Sequence, residues 1–130
     1  MKRSLPNFHI SNVFRVGVRL AVIVALVSLT RAASAHAVLV RSSPAINATV
    51  EGPDVPVTIK FSSRVDGARS TLTLKSPDGQ ARPLTIEQQS SPDTVTAHAP
   101  RLVPGEYAIQ WQVLATDGHV TRGEIPFRVK

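Results

Sequence analysis

Residues 106–114 read Glu106-Tyr107-Ala108-Ile109-Gln110-Trp111-Gln112-Val113-Leu114, and this stretch decides the fold. Tyr107, Ile109, Trp111 and Val113 fall on alternate positions, with Ala108, Gln110 and Gln112 between them. A period of two is that of an extended strand with one face buried, because successive side chains point to opposite sides. Four large side chains on one face mark the core strand, and Trp111 is expected near its centre.

The same period recurs on both sides of this strand. Val55, Val57, Ile59 and Phe61 share one face of a strand, with Thr58, Lys60 and Ser62 on the other. Leu72 and Leu74 point inward in the next. Ser76-Pro77-Asp78-Gly79 makes a hairpin turn, its proline presetting φ and its glycine closing the exit. Leu84 and Ile86 define a further strand. Residues 94–99 form another, with Val95 and Ala97 on one face and Thr94, Thr96 and His98 on the other. Ile125, Phe127 and Val129 form the last, where Pro126 predicts an edge position or a bulge. A short first strand covers Val38–Arg41. Asp66-Gly67 and Ser90–Asp93 are expected turns, and residues 46–56, with Asn47, Gly52, Pro53 and Pro56, an expected loop. About seven short strands with turn signals every 8–12 residues predict an all-β, Ig-like domain, a Greek-key sandwich or barrel.

Ahead of the first strand the character changes. A basic segment with Lys2, Arg3, Arg15 and Arg19 precedes an apolar run, Leu20–Leu29, and then Ala33-Ser34-Ala35. This is the pattern of a cleavable export signal, and a run of ten closed by Arg31 falls short of the roughly 20 residues of a spanning helix. The expected organisation is a signal peptide over residues 1–35 and a single domain over 36–130, exported to the periplasm. The chain has 15 Lys+Arg against 9 Asp+Glu, but five of the basic residues precede His36 and no acidic one does. From His36 onward 10 basic residues face 9 acidic ones, which leaves no long-range field for nucleic acid. Cysteine is absent and Met1 is the sole methionine, so neither disulfides nor sulfur ligands are available to the domain.

Cleavage after Ala35 makes His36 the first residue. Such a histidine carries two donors, its α-amine and its imidazole Nδ1, which can close a chelate ring on one metal ion. Asp117-Gly118-His119 follows the Trp111 strand, and side chains at i and i+2 can aim at one spot across a glycine. Taken alone, this segment is a weak signal and reads more readily as a solvated Asp-Gly turn with an incidental histidine. Taken together, His36, Asp117 and His119 offer three nitrogens and one oxygen, a set suited to tetragonal Cu(II). His98 is out of phase with Val95 and Ala97 and is expected to face solvent as a non-ligand. The chain has no nucleophile elbow, phosphate loop or hydrolytic carboxylate pair.

The segment His36-Ala37-Val38-Leu39-Val40-Arg41-Ser42-Ser43-Pro44-Ala45 resembles the mature start of CopC-type periplasmic copper-resistance proteins. Ile59-Lys60-Phe61-Ser62, Pro104-Gly105-Glu106-Tyr107, Trp111, Asp117-Gly118-His119-Val120-Thr121-Arg122-Gly123 and Phe127-Arg128-Val129 are similar to further segments of that family. The resemblance implies a domain that binds one Cu(II) through His36, Asp117 and His119, with no catalytic turnover. It also implies a monomeric copper carrier working beside a CopD-like inner-membrane copper-uptake partner. Family members often have Glu after the Phe-Ser pair, where this chain has Ser63, and some have a Met-rich Cu(I) site for which this chain lacks residues. Two other readings are a small copper oxidase or monooxygenase and a metal-free Ig-like interaction module.

Overall fold

The computed structural model describes residues 36–130, so the export signal expected over residues 1–35 lies outside the described residues. Eight strands follow in order: β1 Leu39–Ser43, β2 Ala48–Val50, β3 Val55–Phe61, β4 Val65–Lys75, β5 Ala81–Leu84, β6 Thr94–Ala99, β7 Gly105–Ala115 and β8 Val120–Val129. They form a three-stranded sheet, β1-β3-β6, and a five-stranded sheet, β2-β8-β7-β4-β5. Neither sheet closes on itself, so the architecture is the sandwich rather than the barrel.

Alternation builds the core as read from the sequence. Val57, Ile59, Phe61, Val95 and Ala97 come from one sheet, and Leu72, Leu74, Ile109, Trp111, Val113, Ile125 and Phe127 from the other; all are buried. Burial of each larger aliphatic or aromatic side chain contributes about 1.5–3 kcal/mol, and a domain without disulfides depends on that sum. Phe61 meets the Trp111 ring edge-on at 5.2 Å between centroids, joining the two sheets. The Tyr107 hydroxyl donates to the Val103 carbonyl at 3.0 Å and accepts from its N–H at 3.1 Å, locking the turn into β7.

Four expectations need correction. Asp66-Gly67 is no turn but the start of β4, where the register against β7 shifts between Asp66 and Thr71. The Asp66 carboxylate accepts from the Arg69 N–H, and its carbonyl accepts from the Ser70 hydroxyl, so the signal marks a bulge. Residues 46–56 contain β2, three residues that pair in parallel with Phe127–Val129; so short a strand has no periodicity to read. Ile86 does not extend β5 but bridges to Ala97 in the opposite sheet, as the chain crosses between layers. Finally, the last strand begins earlier, at Val120, while Pro126 holds the open-edge position expected of it, since β2 pairs with β8 only from Phe127 onward.

One end of the sandwich gathers the segments of interest. β1 runs antiparallel to β3, so its start lies beside the end of β3, with Leu39 opposite Phe61. The chain then crosses to β4, whose Val65 pairs with Ala115 at the end of β7. The turn from β7 into β8 carries Asp117 and His119 at this same end, tied down where the Thr116 N–H donates to the Arg64 carbonyl at 3.2 Å.

Candidate metal centre

The β7–β8 turn is built by its backbone first. The Ala115 N–H donates to the His119 carbonyl at 2.8 Å and the Gly118 N–H to the Ala115 carbonyl at 2.9 Å. Gly118 has φ +90°, in the region that glycine enters without a Cβ penalty. Asp117 then fixes His119 twice. Its Oδ1 accepts the His119 N–H at 3.0 Å, and its Oδ2 lies 2.9 Å from the His119 Nδ1. The backbone N–H of His119, then its ring, then the nearby His36 hold the Asp117 carboxyl below its usual range. An ionised carboxylate only accepts, so the proton of the neutral ring sits on Nδ1 and the Nε2 lone pair is left to bind a metal.

His36 arrives from the other end of the chain. Its ring lies 4.8 Å from that of His119, centroid to centroid, tilted by 39°. With metal–nitrogen bonds of about 2.0 Å, two imidazoles at right angles on one ion have centres about 4.5 Å apart, and two opposite ones about 6.3 Å. The observed spacing thus suits two adjacent corners of a tetragonal ion. Among the described residues, no three His, Asp or Glu side chains are gathered as a preformed metal cluster. The arrangement is a pair of imidazoles with a carboxylate bound to one of them.

The backbone next to His36 is held from both sheets. The Val38 N–H donates to the Ser62 Oγ at 3.0 Å, the Ser62 hydroxyl donates to the His36 carbonyl at 3.3 Å, and the Ser62 N–H donates to the Val38 carbonyl at 2.8 Å. From β8 the Thr121 hydroxyl donates to the Ala37 carbonyl at 2.9 Å. Ala37 itself is buried, its methyl part of the core. Sequence reading did not single out Ser62 or Thr121 as parts of the site. The signal was present for Thr121, a polar residue in phase with the inward Ile125 and Phe127. Val38, Val40 and Val120 are exposed around this end.

The structure thus brings together His36, Asp117 and His119 and leaves His98 elsewhere. His98 pairs with Pro56, at the far end of β3 from Ser62. Its exposed ring lies 3.4 Å from the Glu87 carboxylate.

Comparison with known proteins identifies the family. The CopC domain model matches residues 39–130, beginning three residues after His36. Copper resistance protein C of Xanthomonas campestris pv. juglandis is 34% identical over 126 residues, covering 90% of this chain and 98% of that protein. Protein YobA of Escherichia coli K12 is 32% identical over 99 residues, covering 74% and 80%. The crystal structure of CopC from Methylosinus trichosporium OB3b superposes with a TM-score of 0.69 at 29% identity, covering 73% of this chain and 94% of that one. A family match over nearly all of the described sandwich, with these relatives beside it, shows that the chain belongs to the CopC domain family.

Proposed function

We propose that this protein is a periplasmic carrier of one Cu(II) ion, taken as cargo and buffered or delivered without catalytic turnover. Removal of residues 1–35 exposes the His36 α-amine, which with the ring Nδ1 forms a chelate; His119 supplies a third nitrogen and Asp117 an oxygen. The observation that carries this reading is the 4.8 Å approach of two imidazoles drawn from opposite ends of the sequence. A set of nitrogen and carboxylate donors without sulfur favours Cu(II) over Cu(I). The relative named copper resistance protein C supports copper as the cargo. For Asp117 to join the same ion its carboxylate must swing away from the His119 Nδ1, because the two ring nitrogens face opposite sides of the imidazole. The carrier works as a monomer and hands its ion to a CopD-like inner-membrane partner.

The test is a competition titration with Cu(II) on protein recovered from the periplasm, with the mass of the exported form read alongside. His119→Ala is expected to weaken copper by more than the roughly 10- to 100-fold that loss of a ligand's supporting partner costs, and His98→Ala to leave it unchanged. Saturating Cu(II) is expected to raise Tm, as tight native-state binding must. Equal effects of the two histidines, an exported form starting elsewhere, or a Tm indifferent to copper would each refute the reading; the last is what a metal-free interaction module gives.

A further inference from the structure

We propose that Thr121 and Ser62 are positioning residues that set the affinity for the ion by clamping the His36-Ala37-Val38 backbone between the two sheets; this rests on the copper reading above. A terminal segment is the part of a chain most prone to fray. A ligand on a fraying end is competent only part of the time, and its apparent affinity falls by that fraction. Here the segment is held from both sides. Ser62, directly after β3, receives the Val38 N–H and donates to the His36 carbonyl. Thr121, on β8, donates to the Ala37 carbonyl. The buried Ala37 methyl is a third anchor between them.

Thr121 has a particular place in this clamp. It lies two residues after His119, on the strand that the Asp117-Gly118-His119 turn feeds. The hydrogen bond from its hydroxyl therefore links the backbone beside His36 to the strand that follows His119, across 84 positions of sequence. Neither Thr121 nor Ser62 needs to touch the ion. They hold two imidazoles in mutual range before it arrives, so the cost of ordering the terminus is met in folding rather than in binding.

The experiment compares Thr121→Val, Thr121→Ser, Ser62→Ala and His119→Ala in three measurements: Cu(II) affinity by competition, Tm without metal, and amide exchange at Val38 without metal. Thr121→Val keeps the shape and loses the hydroxyl. It is expected to weaken Cu(II) by about fivefold, the factor for one ordinary hydrogen bond. Val38 exchange is expected to quicken by a similar factor, and Thr121→Ser to restore both. Ser62→Ala is expected to act in the same direction. If Thr121→Val lowers Tm but leaves copper affinity and Val38 exchange at the native values, the hydroxyl is merely structural and the clamp is refuted. His119→Ala separates the two levels. If it weakens copper while Thr121→Val does not, only the clamp falls; if His119→Ala is also without effect, the copper site and the clamp fall together.

Discussion

Replacing Gly123 with alanine tests how tightly the two sheets are fitted at the end that holds the histidines. Gly123 lies opposite Trp111 on the neighbouring strand, and the indole lies across the space a side chain would occupy. A Cβ built at Gly123 falls 2.3 Å from the Trp111 Cζ2 and 2.6 Å from its Cε2. Carbon atoms in contact sit about 3.5–4.0 Å apart, so the ring must retreat by more than about 1 Å. It has little room, since Phe61 meets it edge-on. Two effects compete. Gly123 does not occupy the left-handed region, so alanine there stiffens the unfolded chain and by itself stabilises by about 0.4–1 kcal/mol. Overpacking a buried site costs about 1–3 kcal/mol, and backbone and a large ring yield poorly, so overpacking wins.

For a domain of this size each kcal/mol moves Tm by about 4–8 °C, so Gly123→Ala should melt roughly 5–15 °C lower. Thermal denaturation followed by circular dichroism measures this, and Trp111, the only tryptophan, reports displacement of the ring through its emission. Trp111→Phe supplies the control. It vacates the contested space and also removes an indole N–H that has no hydrogen-bond partner among the described residues. The double variant should therefore be more stable than the sum of the single effects, a coupling that only direct contact gives. An alanine variant as stable as the native protein, with unchanged emission, would refute this account of the packing.

Two further predictions concern the scaffold. Tyr107→Phe removes a hydroxyl that both donates to and accepts from the Val103 backbone, and should cost about 1–2 kcal/mol in chemical denaturation without altering Cu(II) affinity. Asp93 accepts from the Lys60 ammonium and from the Ser91 and Thr94 hydroxyls, which hold its carboxyl far below the ordinary value. A depressed folded pKa gives stability that is present above the unfolded value, near pH 4, and lost as pH falls toward the folded one. Asp93→Asn should thus be less stable than the native protein at pH 6, with the difference narrowing steadily as pH falls from about 4 to 2; a constant difference across that range would show that the charge is not what matters.

Much of this was legible in the sequence because it depends on alternation. The inward faces of β3, β6 and β7 follow from their side-chain period, and each bounds a buried layer. Where the reading failed, another force governed the backbone. At Asp66-Gly67 the turn signal was real, but pairing with β7 absorbed it as a bulge, with Gly67 packed against Gln89 and its N–H donating to the Gln89 side chain. β2 owes its place to the strand beside it, three residues being too few to carry a period. Within the candidate metal centre, the residue types and the Asp-Gly-His spacing pointed to His119 and Asp117. That His36 would lie beside them is a tertiary fact. It follows from β1 running antiparallel to β3 and from the crossing between sheets at residues 62–64, neither of which leaves a local trace.

The two imidazoles belong to residues 36 and 119, so they meet only after nearly the whole domain has been threaded, paired and packed. A chain in which β8 has not docked holds its two histidines apart. On the copper reading proposed above, full coordination then reports that the last strand has docked, while a chain not yet folded offers the ion only the two nitrogens of His36.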